Sequence, residues 1–405
     1  LTAMLKQKLG NVIARNLEHF LNVNYTELAE QLIDMGDSQA VAWNLKKFRD
    51  IDHAQIAKRI MAKGEAGYIA RYLENFAGLH HAELADWLID HGKAENLAAN
   101  LRKFVGVDHN QIAAKMLSNG DAKVLYNYLH NFHDLDKSIA IGIIDMVIYP
   151  QDLLKTSGGR TINVFKNLDE SVALHMAEKG MGAEVCGNLA IFGEVDLRKL
   201  AEAMVKKSVN AFADCIEHFG EMEMDGLADL AIKNNQAWDF VTRLDEFRIN
   251  DFARLALEFE KANLPQAMVK CLYLAKDEEQ KKVIRSALEK HDKQSLAEEV
   301  FREGDFIVLR DAMDYFRELD FWDLAKITIK SGSSWVGSLP DIIRYFNIDN
   351  YFDLAEKFSN FKISEGVAEC WKLCTDQQQK ATIETLYNLM GLADPNLPPL
   401  VKTDQ

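Results

Sequence analysis

At 405 residues, with 48% hydrophobic side chains and six prolines, the chain has the material for a large core built from uninterrupted helices. Its formal net charge of −15 opposes nonspecific attraction to phosphate backbones, and no run approaches the roughly 18 consecutive apolar residues of a membrane span. The opening LTAMLKQKLG lacks the apolar segment of a signal peptide, and five cysteines form no even disulfide framework, so a cytoplasmic location is expected.

From the N-terminus one register dominates. NLEHF, NLKKF, YLENF, NLRKF and YLHNF end at Phe20, Phe48, Phe76, Phe104 and Phe132, a constant step of 28 residues. In the same register NYTELAEQLIDMG, DHAQIAKRIMAKG, HHAELADWLIDHG and DHNQIAAKMLSNG end at Gly36, Gly64, Gly92 and Gly120. Asn24, Asp52, His80 and Asp108 precede each apolar run, with Glu27, Gln55, Glu83 and Gln111 three residues on. That pattern predicts a capping box, His80 being its weak member, and a helix stopped by a left-handed glycine. A second helix follows, with Ile69, Leu73 and Phe76 as its large apolar members. Small residues such as Ala57, Ala70, Ala85 and Ala98 would allow close helix approach, and neighbouring repeats must stack to cover both faces.

The fold expected is therefore all-α: an α-solenoid, or superhelix, of two-helix repeats of about 28 residues. Regular repeats are expected over 1–140 and a loop insertion over 141–160, where IYPQDLLKTSGGRT breaks the register. Repeats should continue over 161–247, anchored by Phe165, Phe192, Phe219 and Phe247. Over 248–392 they degenerate, with AMDYF, IIRYF and CWKLC ending at Phe316, Phe346 and Cys374, and CLYLAKDEEQKKVI (271–284) resembling CWKLCTDQQQKATI (370–383). The proline-rich 393–405 is expected to be an extended or disordered tail.

Chemistry-bearing motifs are missing: there is no P-loop, GxGxxG, HExxH, GxSxG or paired CxxC, so no enzyme, cofactor or metal is expected. Cys370 and Cys374 read as core cysteines, His53, His81 and His109 as exposed residues at helix starts, and the phenylalanine ladder as packing between repeats. Asn16, Asn44 and Asn100 either bond backbone groups between repeats or face a ligand, and the structural role is preferred.

The variable positions are the pairs before each capping glycine: Asp34 and Met35, Ala62 and Lys63, Asp90 and His91, Ser118 and Asn119. A scaffold that fixes its core and varies one turn displays different side chains along one edge. These are the candidate contacts to a protein or peptide partner, the leading functional expectation. With Gln or Glu nine residues before each glycine, an aliphatic residue next, and Val41, Ile69, Leu97 or Leu125 five residues after it, residues 11–132 faintly resemble TAL-effector-like DNA-binding repeats. That resemblance implies nucleic-acid reading by the variable pair, with Lys46, Lys47, Arg49, Lys58, Arg59, Lys63, Arg102 and Lys103 as phosphate contacts. The unit here is shorter than that family's and lacks its second glycine followed by Lys-Gln, and the sign of helix B changes from Glu18-His19 to Lys46-Lys47 to Glu74-Asn75.

Overall fold

The computed structural model describes residues 1–7, 9–20, 22–147, 153 and 164–390. The fold is all-α, an α-solenoid of two-helix repeats, and its chain falls into two compact units, 1–200 and 201–405. Apart from an isolated bridge between Leu135 and Phe165, no β pairing occurs among the described residues. The tail 393–405 lies outside the described residues, as does most of the expected insertion.

Each regular repeat begins with a ten-residue first helix: Tyr25–Asp34, His53–Ala62, His81–Asp90 and His109–Ser118. Asn24, Asp52 and Asp108 cap three of them by accepting from two backbone N–H groups each, while His80 makes no side-chain cap. The reciprocal arm of the expected capping box does not close at Gln55. Its amide donates instead to Glu30 Oε1 of the preceding repeat at 2.8 Å, because a neighbouring carboxylate offers a charge-assisted partner.

The stop signal is a Schellman motif. Gly36, at φ +91°, donates to Ile33 O, and Asp37 N closes the longer bond to Leu32 O at 2.9 Å. The same longer bond recurs as Glu65 to Ile60, Lys93 to Leu88 and Asp121 to Met116. In the second unit the left-handed position is held by Asn235, Asn263 and Lys362 as well as by Gly304 and Gly332, so the hairpin persists where the glycine is replaced.

Second helices are short. Ser38–Asn44 or Gly67–Arg71 leads into one 3-10 turn, Leu45–Lys47 or Leu73–Asn75, and the chain becomes extended at Phe48 or Phe76. Two residues past each phenylalanine is another left-handed position, at Asn22, Asp50, Gly78, Gly106 and Asp134, which turns the chain into the next repeat. Phe48, Phe76, Phe104 and Phe132 are buried, as are Ala57, Ala70, Ala85 and Ala98. Phe20 is half-buried. The ladder continues buried through Phe165, Phe192, Phe219, Phe247, Phe316 and Phe346 to Cys374.

Residues 141–146, expected as the start of a loop, complete the helix Lys137–Met146, whose Ile143 and Ile144 are buried. Beyond the undescribed stretch the chain returns beside its point of departure. Leu135 N donates to Val164 O and Lys166 N to Leu135 O, both at 2.8 Å. Asp145 then pairs with His175 at 3.0 Å and Lys179 at 2.8 Å on the following helix, Glu170–Glu178.

In residues 201–405 the similar segments at 271–284 and 370–383 have matching structures. Helices Pro265–Leu274 and Ser364–Leu373 each lead, through a cap at Asp277 or Asp376, into Glu278–Leu288 or Gln377–Leu389. Gln280 and Gln379 accept from Phe252 N and Phe352 N. The second helices here are ten-residue α-helices without the terminal 3-10 turn.

Phe76→Ala is expected to cost about 3–5 kcal/mol, against about 1 kcal/mol or less for Lys63→Ala at the exposed turn. Equal shifts in denaturant midpoint would overturn the register. A protease site introduced at Ser157 should, once cut, leave two fragments that co-elute under native conditions, because Leu135 and Asp145 hold both flanks. Separation on gel filtration would mark the insertion as a boundary between independent domains.

Candidate partner-binding surface

Of the eight variable-turn residues, seven are exposed and Met35 is half-buried. Three are engaged with neighbouring repeats. Asp34 pairs with Arg59 at 2.6 Å and Lys63 at 2.9 Å, and Asp90 pairs with Lys115 at 2.9 Å. These contacts hold the Asp34 carboxyl below the ordinary carboxylate range, the bond from Arg59 being the largest cause, and raise Lys115. His91 stacks on Trp87 at 3.8 Å between ring centres, with Nδ1 2.8 Å from Trp87 O, and Ser118 Oγ donates to Lys115 O at 2.8 Å.

The expected phosphate contacts divide in the same way. Lys47 Nζ donates to Arg15 O at 2.6 Å and lies 3.8 Å from Glu18, while Lys103 reaches Arg71 O and pairs with Glu74 at 3.2 Å. Arg102 donates to His130 O at 2.8 Å. Lys46, Arg49 and Lys58 are exposed.

Lys47 and Lys103 belong to a series that sequence reading missed. At the equivalent position Asn75 Nδ2 donates to Ala42 O and Trp43 O, and Asn131 Nδ2 to Ala98 O. In these four repeats the residue just before the phenylalanine thus reaches back one repeat and satisfies carbonyls orphaned at the end of a second helix. A donor recurring before Phe48, Phe76, Phe104 and Phe132 was the available signal. Asn16, Asn44 and Asn100 do bond backbone, but within their own helices, to Val12 O, Ala40 O and Asn96 O.

His53, His81 and His109 are half-buried rather than exposed. Their Nδ1 atoms accept from Ala77 N at 2.7 Å, Val105 N at 2.8 Å and His133 N at 3.2 Å. Each ring also stands edge-on to Phe76, Phe104 or Phe132, with centres 5.7–6.3 Å apart. The histidine therefore clasps the start of the first helix to the end of the second. An Nδ1 that accepts a hydrogen bond from a backbone N–H offers its lone pair and carries no proton of its own.

On the second-helix face a row of aromatic and cationic side chains crosses repeats. Arg15 sits 5.2 Å over the Trp43 ring, and Trp43 stacks on Tyr72 at 6.1 Å with planes 4° apart. Trp43 remains 51% exposed, although Gln39 fixes the Tyr72 hydroxyl from beside it at 3.3 Å. The five cysteines are buried, and no cluster of three or more His, Cys, Asp or Glu suited to a metal occurs among the described residues. No helix among them is long and apolar enough to cross a membrane.

No protein-family profile matches the chain, and no curated protein matches it. A solved structure described as a "circular tandem repeat protein with novel repeat topology and enhanced subunit contact surfaces" is similar at 15% identity and a TM-score of 0.17, covering 96% of this chain and 91% of that one. So low a score carries no functional argument.

Burial and the nearby His133 depress His109, while Asp108 and Asp134 pull it upward. Its folded value then lies below the unfolded one, and between the two the unfolded chain binds more protons. Stability is full above the unfolded value of about 6.5 and falls as pH drops through it toward the folded value. His109→Gln keeps an acceptor for His133 N and does not titrate. Its midpoint should fall less than wild type's when pH is lowered from about 7.5 to about 5, and an unchanged pH dependence would remove His109 from the clasp.

Proposed function

We propose that this chain is a non-enzymatic helical-repeat scaffold that binds a protein or peptide partner through the surface of its N-terminal repeats. The observation that carries the reading is Trp43. A large side chain left 51% exposed, yet clamped between Arg15 and Tyr72, presents apolar area with little rotamer entropy left to lose, as binding hot spots do. The variable turns, including Met35, Ala62, Ser118 and Asn119, supply residues that differ from repeat to repeat on a fixed frame.

The nucleic-acid alternative is less well supported. Arg59, Lys63, Lys47 and Lys103 already have carboxylates within 4 Å, and to neutralise phosphates they would have to give these up. A partner captured from lysate should resist nuclease treatment and be lost on Trp43→Ala, a surface change expected to leave the circular dichroism spectrum intact. Binding to random duplex DNA at physiological salt should be weaker than about 10 μM. Sub-micromolar DNA binding with a steep salt dependence, or retention of every captured partner by Trp43→Ala, would sink the proposal.

A further inference from the structure

A second surface lies in residues 201–405, where the repeat is least regular. Between the helices Pro265–Leu274 and Glu278–Leu288, the start of Lys293–Glu303 and the 3-10 segment Arg310–Phe316 is a cavity of about 610 Å³. Lys281, Arg285, Lys293 and Arg317 line it, against two carboxylates, Asp314 and Glu318. On a chain of net charge −15, a cavity lined by four cations and two anions is a local reversal of sign.

The cations differ in what they already hold. Glu278 serves Lys281 at 2.9 Å and Arg285 at 3.7 Å. Lys293 lays its ammonium over the Tyr315 ring, 4.8 Å from its centre. Neither Lys293 nor Arg317 has a carboxylate within 4 Å among the described residues. Tyr315 is half-buried, and burial together with Glu289 raises its phenol above the ordinary value, so at neutral pH it keeps a proton to donate. Tyr273, 51% exposed, forms an apolar wall with Val269 and Leu272.

We propose that this cavity docks an acidic peptide segment, its carboxylates meeting Lys293 and Arg317 and an apolar or aromatic side chain lying against Tyr273. Asp314 and Glu318 decide between a peptide and a nucleic acid. They can accept from the N–H groups that a peptide backbone carries and a sugar-phosphate backbone lacks. Carboxylates on Arg and Lys, apolar area on tyrosine and backbone donors on the two acids account for every class of group lining the cavity.

The proposal deepens the scaffold reading and rests on it, but the two fail separately, because Trp43 lies in the other compact unit. The probe is a short fluorescein-labelled peptide rich in glutamate with one tryptophan, titrated with the full chain. A version with glutamine for glutamate and a single-stranded oligothymidylate serve as comparisons. Saturable binding of the acidic peptide is expected, weakened about tenfold or more by Arg317→Glu and much less by Lys282→Glu. Lys282→Glu makes the same charge change at an exposed residue outside the cavity. Arg317→Gln should give an intermediate loss. No saturation, equal weakening by Lys282→Glu, equal affinity for the glutamine peptide or displacement by oligothymidylate would each overturn the assignment. If partner capture through Trp43 survives any of these outcomes, the cavity proposal alone is retired.

Discussion

A helix of five to seven residues with one 3-10 turn at its end makes too few internal hydrogen bonds to persist in water. Residues such as Leu73 and Phe76 must therefore be covered by the flanking helices, or the repeat does not form. Everything else in the regular region is arranged around that coverage. Alanines at Ala57, Ala70, Ala85 and Ala98 bring backbones close, Schellman turns reverse the chain within two residues, and a left-handed residue past each phenylalanine aims the next repeat.

Polar side chains then work at the margins of this apolar frame. They close the hairpin through His53, His81 and His109, and they tie one repeat to the next through Lys47, Asn75, Lys103 and Asn131. Individually these exposed or half-exposed contacts are weak, of order 1 kcal/mol or less. Their importance is geometric, because each satisfies a backbone group that the short helices leave open. It also explains why a row of lysines that reads as a phosphate-binding stripe is largely committed within the protein.

What was legible in the sequence was what depends on local periodicity. The phenylalanine ladder, the capping residues Asn24, Asp52 and Asp108, and the glycines at left-handed positions follow from helix geometry alone, and all are found where they were expected. What was not legible requires knowing which ends of which helices meet. The histidine clasps need the start of the first helix beside Ala77 or Val105, and the path of Gln55 to Glu30 needs the preceding repeat in place. Likewise, the helical character of 141–146 is fixed by packing of Ile143 and Ile144, which a broken register conceals. The cavity beside Tyr273 and Tyr315 depends on irregular spacing, and no motif marks it.

The first helices alternate in charge as well as in position. Glu30 and Asp34 meet Gln55, Arg59 and Lys63 of the next repeat, and Asp86 and Asp90 meet Lys115 of the one after. The array is thus built from dimeric cassettes of two repeats, 56 residues by the spacing of Asp34 from Asp90 and of Arg59 from Lys115. Excision of residues 52–79 would set Glu83 against Glu30 and leave Asp34 facing Trp87 and His91. Excision of 52–107 would bring Gln111 to Glu30 and Lys115 to Asp34, restoring complementarity. Lengthening or shortening of this array by duplication and loss would therefore be favoured in paired steps, with the smallest electrostatically neutral change being twice the structural repeat.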